Sequence, residues 1–235
     1  MSSTTRFRRL AGAACLVLGP VLLGIAFAVL PWQTNDDDTL DTLNLTGANI
    51  TATQIGDLLA FAGILAMIPA TLAIMRALGR RAPLLGLVGG TLSIGGLVGA
   101  MLLVVSDQIT LGVADAPALR PAVADAVESS PAWVLNVVLV VFLAGLLIGG
   151  VVLGAGLLRA RIVPAWAGVV VMLSPVVSLV AHMADRKAID VVGSALVVIG
   201  YTAVAQRVLA TDDASWEAGE IADAAPRARE MVGVA

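Results

Sequence analysis

The sequence predicts an all-α integral membrane protein: a polytopic bundle of about six transmembrane helices with both ends in the cytoplasm. Three observations carry the prediction. The 235-residue chain is 59% hydrophobic and only 13% charged, whereas a soluble domain keeps about 25% charged residues to face water. Its apolar residues fall in long blocks rather than an amphipathic rhythm, with a mean hydropathy of +0.96. Its arginines alternate between connectors in the way that sets membrane orientation.

An apolar stretch of about 20 residues crosses a hydrocarbon core of about 30 Å. Residues 10–30 form the first such block and carry no charge. Residues 55–75 form the second, with Asp57 near its start. Residues 83–105 and 132–158 are uncharged, and the second of these is long enough to tilt. Residues 162–184 hold no formal charge, and residues 189–208 form the weakest span, with only 16 residues between Asp190 and Arg207. There Arg207 must snorkel toward the interface. Placing the N-terminus inside puts eleven basic residues in the cytoplasm and leaves Arg120, Arg186 and Lys187 outside. The split alternates at every crossing, and short cytoplasmic segments are enriched in Lys and Arg.

The first block has a rival reading. Arg6, Arg8 and Arg9 followed by an apolar run ending Ala26-Phe27-Ala28 resemble a cleaved signal peptide, although signal cores run only about 7–15 residues. Between the spans, residues 31–54 form an acidic outer loop whose Asn44 and Asn49 begin N-x-T triplets. These accept glycans only in a secretory host. Residues 106–131 form a second outer loop in which 121–129 suits a short helix opening on Pro121. Residues 211–235, rich in alanine and acids, are expected to be a flexible cytoplasmic tail.

Candidate chemistry lies in few places. Gly86-Gly90, Gly89-Ser93, Gly95-Gly99 and Gly96-Ala100 on the third span, with Gly145-Gly149 and Gly150-Gly154 on the fourth, are small-x-x-x-small pairs. Such pairs let helix backbones approach closely, within one chain or across a homo-oligomer or partner membrane protein. Ser174, Ser178 and His182 recur every four residues on the fifth span; Asp190, Ser194 and Tyr201 share a face of the sixth. An antiparallel hairpin between them sets His182 opposite Asp190 and Ser178 opposite Ser194. That seam is either structural glue, at about 0.6 kcal/mol per hydrogen bond, or part of an outer polar binding cluster. The cluster comprises His182, Asp190, Asp57, Asn136, Ser178 and Ser194, with Asp107 nearby.

No HExxH, GxSxG or Walker motif occurs, the only histidine is His182, and the only cysteine is Cys15. Neither a metal nor another cofactor is called for. No basic patch suggests nucleic acid, so the expected surroundings are the lipid bilayer of the cell (plasma) membrane.

The run LLAFAGILAMIPATLAI at 58–74, SSPAWV before the fourth span and RARIVPAWAG after it form a recurring layout of helix ends and turns. RRAPLLG at 80–86 echoes RIVPAWAG at 161–168, each with Pro shortly after Arg. The layout resembles small actinobacterial multi-pass membrane proteins of unknown function. The resemblance covers most of the chain and implies a six-helix membrane domain without an assigned activity. The leading functional expectation is a non-enzymatic accessory, sensor or lipid- or partner-binding protein. A small-solute transporter, or a subunit of one, is the first alternative. A membrane-embedded enzyme using His182 with a nearby acid is the second.

Overall fold

The computed structural model describes residues 3–34, 38–131 and 133–221. Every regular element among the described residues is a helix: α1 (Ser3–Val29), α2 (Thr39–Ala48), α3 (Ile50–Leu78), α4 (Pro83–Ala114), α5 (Arg120–Ser129), α6 (Trp133–Ala160), α7 (Ala165–Met183), α8 (Lys187–Ala210) and α9 (Asp213–Glu217). Six of them, α1, α3, α4, α6, α7 and α8, are long and apolar enough to cross a membrane. The chain is a multi-pass membrane protein with an all-helical fold.

Each spanning helix packs on its neighbours in sequence, and α8 returns to α1, so the six close into a ring. Successive spans run antiparallel, joined by three short turns and by two longer connectors that contain α2 and α5. One end of the ring therefore gathers Arg9, Arg76, Arg80, Arg81, Arg159, Arg161 and Arg207. The core is concentrated toward this arginine-rich end, where Leu16, Ile74, Leu78, Leu153, Leu157, Val204 and Val208 are almost completely buried. Leu65, Leu72, Leu87, Leu102, Val140, Leu173 and Ile199 instead stand exposed around the outside. Lipid accepts such faces at no hydrophobic penalty, because its tails are as apolar as leucine.

The α4–α6 seam explains the glycine content. A Cβ on Gly145 would sit 2.5 Å from the Gly96 nitrogen and 2.6 Å from the Leu92 carbonyl oxygen, so only hydrogen fits there. Gly89 and Gly149 repeat the contact further along, each against backbone of the facing helix. The small-x-x-x-small faces are thus filled by helices of the same chain, whereas Gly95 and Gly112 face open space.

The connectors differ from expectation in three ways. First, α3 starts at Ile50 and α4 runs to Ala114. At 1.5 Å per residue, α4 is about 48 Å long and projects past the hydrocarbon core. Second, the acidic loop contains α2, whose N-cap Asp38 accepts a hydrogen bond from the Asp41 amide at 2.8 Å. Leu43 of α2, Ala114 of α4 and Ala124 of α5 bury one another in a small second cluster. Arg120 ties it together, donating to the Ala114 carbonyl at 2.9 Å and to Asn44 Oδ1 at 3.1 Å.

Third, the segment after α8 is not a loose tail along residues 211–221. It forms α9 and folds back on the arginine-rich end, burying Trp216 and Ile221 in the main core. The rest of the expected flexible tail, residues 222–235, lies outside the described residues.

Candidate functional site

The residues of the proposed outer cluster are carried on α3, α6, α7 and α8. Asp57 is buried on α3 and accepts a 2.7 Å hydrogen bond from Gln108 Nε2 of α4. Its neighbour Asp107 is exposed, and so is Asn136 on α6. Asp190 belongs to α8, and since α3 and α8 pack on α1 as its two ring neighbours, Asp57 and Asp190 lie in different seams.

The α7–α8 hairpin forms as expected, but in a slightly different register. Ser178 faces Gly193, with its Oγ 3.1 Å from the position a Gly193 Cβ would take, and Val171 faces Gly200. One residue of slip rotates α8 by about 100°. Ser194 consequently turns toward α1, its Cβ 3.4 Å from where a Gly24 Cβ would be. Asp190, one turn earlier on the same face, is 2% exposed, and its Oδ1 is buried without a hydrogen-bond partner.

His182 is therefore not seated opposite Asp190. Its ring stands exposed at the end of α7, with Nδ1 2.9 Å from the Ser178 carbonyl oxygen and the Trp32 ring 5.2 Å away. Trp32 Nε1 donates to Asp185 at 2.6 Å, and Lys187 Nζ donates to the Ala28 and Leu30 carbonyls. These contacts clasp the end of α1 onto the α7–α8 turn. Ser174 also serves its own helix. Pro175 has no amide for the Val171 carbonyl, and Ser174 Oγ donates to that oxygen at 3.1 Å.

The densest polar constellation lies at the arginine-rich end. Arg9 of α1 pairs with Asp213 at 2.9 Å and donates to the carbonyls of Leu209 at 2.8 Å and Thr211 at 2.5 Å. Cations suit the end of α8, whose last carbonyls carry partial negative charge. Arg76 of α3 donates to the Trp216 and Glu217 carbonyls at 3.0 and 2.7 Å, and its guanidinium lies 5.7 Å from the centroid of the Trp216 ring. Arg80 pairs with Glu220. Trp216 itself is 3% exposed.

Local chemistry shapes this segment. Asp212 caps α9, accepting from the amides of Ala214 and Ser215 and from the Ser215 hydroxyl. The Ser215 amide, more than the hydroxyl, holds the Asp212 carboxyl below its ordinary range. Gly219 adopts φ +71, the left-handed backbone that favours glycine, and this turns the chain so that Glu220 meets Arg80.

Sequence reasoning missed Gln108, Trp32, Arg76 and Trp216 as partners. The signal for the last was present: an isolated tryptophan among acids, opened by an Asp-x-x-Ser cap. Among the described residues, no group of three or more His, Cys, Asp or Glu is placed to hold a metal ion.

No family model matches the chain, and comparison with curated proteins and with solved structures returns no match. The resemblance to actinobacterial membrane proteins rests on the turn and helix-end motifs alone.

Proposed function

We propose that this multi-pass membrane protein is a non-enzymatic accessory or sensor protein that acts by exchanging partners at its arginine-rich end. The observation carrying this reading is Trp216. A segment lying after the last span delivers a tryptophan into the bundle core, where Arg76 covers its ring and binds its carbonyl. Arg9 and Arg80 read the acids on either side, Asp213 and Glu220. A groove that holds an acidic, tryptophan-bearing segment in cis has the chemistry to hold a similar segment of another membrane protein. The plasma membrane is the proposed location, with the arginine-rich end in the cytoplasm.

The test uses the full chain in native membranes. With Cys15→Ala, Arg80→Cys and Glu220→Cys, a reducible bis-maleimide locks the segment in place, and cleaving the linker releases it. Cross-linked partner adducts are expected to be few when locked and to increase on release. Identical adduct patterns in the two states would remove the reading.

The transporter alternative is favoured by one observation: the buried Asp190 Oδ1 without a partner. Ionisable groups inside a membrane bundle are functional candidates by default. If Asp190 carries transport, Asp190→Asn abolishes solute-dependent growth or flux without altering stability in detergent. An unchanged flux removes it.

A further inference from the structure

The docked segment is held through features at fixed spacing from Trp216. Arg9 of α1 pairs through Nε with Asp213, three residues before the ring, at 2.9 Å. Arg76 of α3 lies over the ring and donates to the Trp216 and Glu217 carbonyls, so it also caps the last turn of α9. Arg80 pairs with Glu220, four residues after the ring, and Ile221 is buried with Trp216 in the main core. The side chains of Ala214, Glu217 and Ala218 stand exposed. We propose that the groove recognises its partner by this code, acid-x-x-Trp-x-x-Gly-acid-apolar, carried directly after a span of a different membrane protein. The proposal rests on the partner-exchange reading and names the partner's chemistry.

Each position of the code has its own weight. The tryptophan is the anchor, since a buried aromatic ring in a fitted pocket carries most of the energy of such an interface. The first acid comes next. Arg9 and Asp213 are only 13% and 19% exposed, so water and salt screen them little. Arg80 and Glu220 are 60% and 57% exposed, and open pairs of that kind contribute weakly. The glycine is required because position 219 adopts φ +71, where a β-carbon is strained.

The place of the segment indicates the source of the partner. Residues 211–215 alone separate the end of α8 from Trp216, so the groove takes a tryptophan presented close to the bilayer. A segment on so short a tether competes at an effective concentration on the order of mM. A partner confined to the same membrane can match that; a dilute soluble protein cannot. A second copy of this chain would exchange identical contacts and still lose the entropy of association. A different membrane protein bearing the code is therefore the occupant.

The test titrates full-length protein in mild detergent with a labelled peptide of residues 211–221. The chain carrying Trp216→Ala leaves the groove open and is expected to bind it. Wild-type chain, filled by its own tethered segment, should bind at least ~10-fold more weakly. On the open chain, Trp216→Ala in the peptide should cost more than ~10-fold. Asp213→Asn or Gly219→Ala should cost several-fold, Glu220→Gln only about 2-fold, and Glu217→Gln nothing. Adding Arg80→Glu to the chain should invert the second acid, so that a Glu220→Lys peptide binds better than the native one. If Trp216→Ala unfolds the spans, Asp213→Asn with Glu220→Gln in the chain loosens the segment without opening the core, and the same peptides apply. Equal affinities across the peptides, or a preference that Arg80→Glu leaves unaltered, would overturn the code even where locking the segment changes the adducts in membranes. Selective peptide binding alongside adducts that ignore the lock would instead remove partner exchange alone. Two differently tagged copies of the chain that co-purify through Trp216 would overturn a different protein as the occupant.

Discussion

Replacing Gly145 with alanine inserts a single methyl group where the structure leaves no room. The new Cβ would lie 2.5 Å from the Gly96 nitrogen and 2.6 Å from both the Gly96 Cα and the Leu92 carbonyl oxygen. Carbon contacts settle near 3.5–4.0 Å, so α4 and α6 must part locally by about 1 Å. All three obstructing atoms are backbone, and none can swing aside as a side chain would. Overpacking of this kind costs about 1–3 kcal/mol, and the rigidity of the contact puts Gly145→Ala toward the upper end. Gly95→Ala is the matched control: a Cβ there meets nothing within 4 Å. It gains helix propensity, up to about 1 kcal/mol, with no steric penalty. Thermal unfolding in a mild detergent should therefore move in opposite directions for the same chemical change. If Gly145→Ala unfolds with the wild type, or Gly95→Ala is destabilised as much, the close α4–α6 contact is wrong.

Trp216→Ala removes a buried ring, and truncations of that size cost about 3–5 kcal/mol. Hydrogen exchange should accelerate across residues 211–221 while the six spans keep their protection; unchanged exchange there would contradict the docking. Gln108→Leu strips the hydrogen bond from buried Asp57, a loss of about 1–3 kcal/mol, and Asp57→Leu made in addition should recover part of it in the same melting assay. The Asp212 carboxyl lies below its ordinary value of 3.8 because its charged form is held by the Ser215 amide and then the Ser215 hydroxyl. A depressed folded pKa stabilises fully above the unfolded value and is lost as pH falls through the folded one. Docking of α9, followed by Trp216 fluorescence with the other tryptophans changed to phenylalanine, should lose this contribution only in acid below that ordinary value. Asp212→Asn should remove that part of the acid dependence.

The spanning helices were legible because lipid imposes one simple rule: about 20 apolar residues with every backbone group satisfied within the helix. Helix ends were less so. Asp107 ends the apolar block but not the helix, and α4 continues to Ala114, where α2 and α5 cover its last turns. The α7–α8 seam was anticipated from Ser178 and Asp190, yet one residue of register turned Ser194 to α1. Periodicity fixes which residues share a face, but not which neighbour that face meets. The Gln108–Asp57 bond joins distant parts of the chain, so no local pattern announced it, and the Asp212 cap marked a helix around Trp216 without saying where the ring would seat.

Six crossings with opposite ends on opposite sides are most directly tested by single-cysteine labelling in a Cys15→Ala background. Cysteines replacing Gln33, Ala118 and Met183 should react with a membrane-impermeant maleimide in intact cells. Those replacing Arg161 and Ala214 should react only after permeabilisation. If Ala118→Cys and Ala214→Cys label together from the same side, the six-span arrangement and the sidedness assigned to its arginines are both wrong.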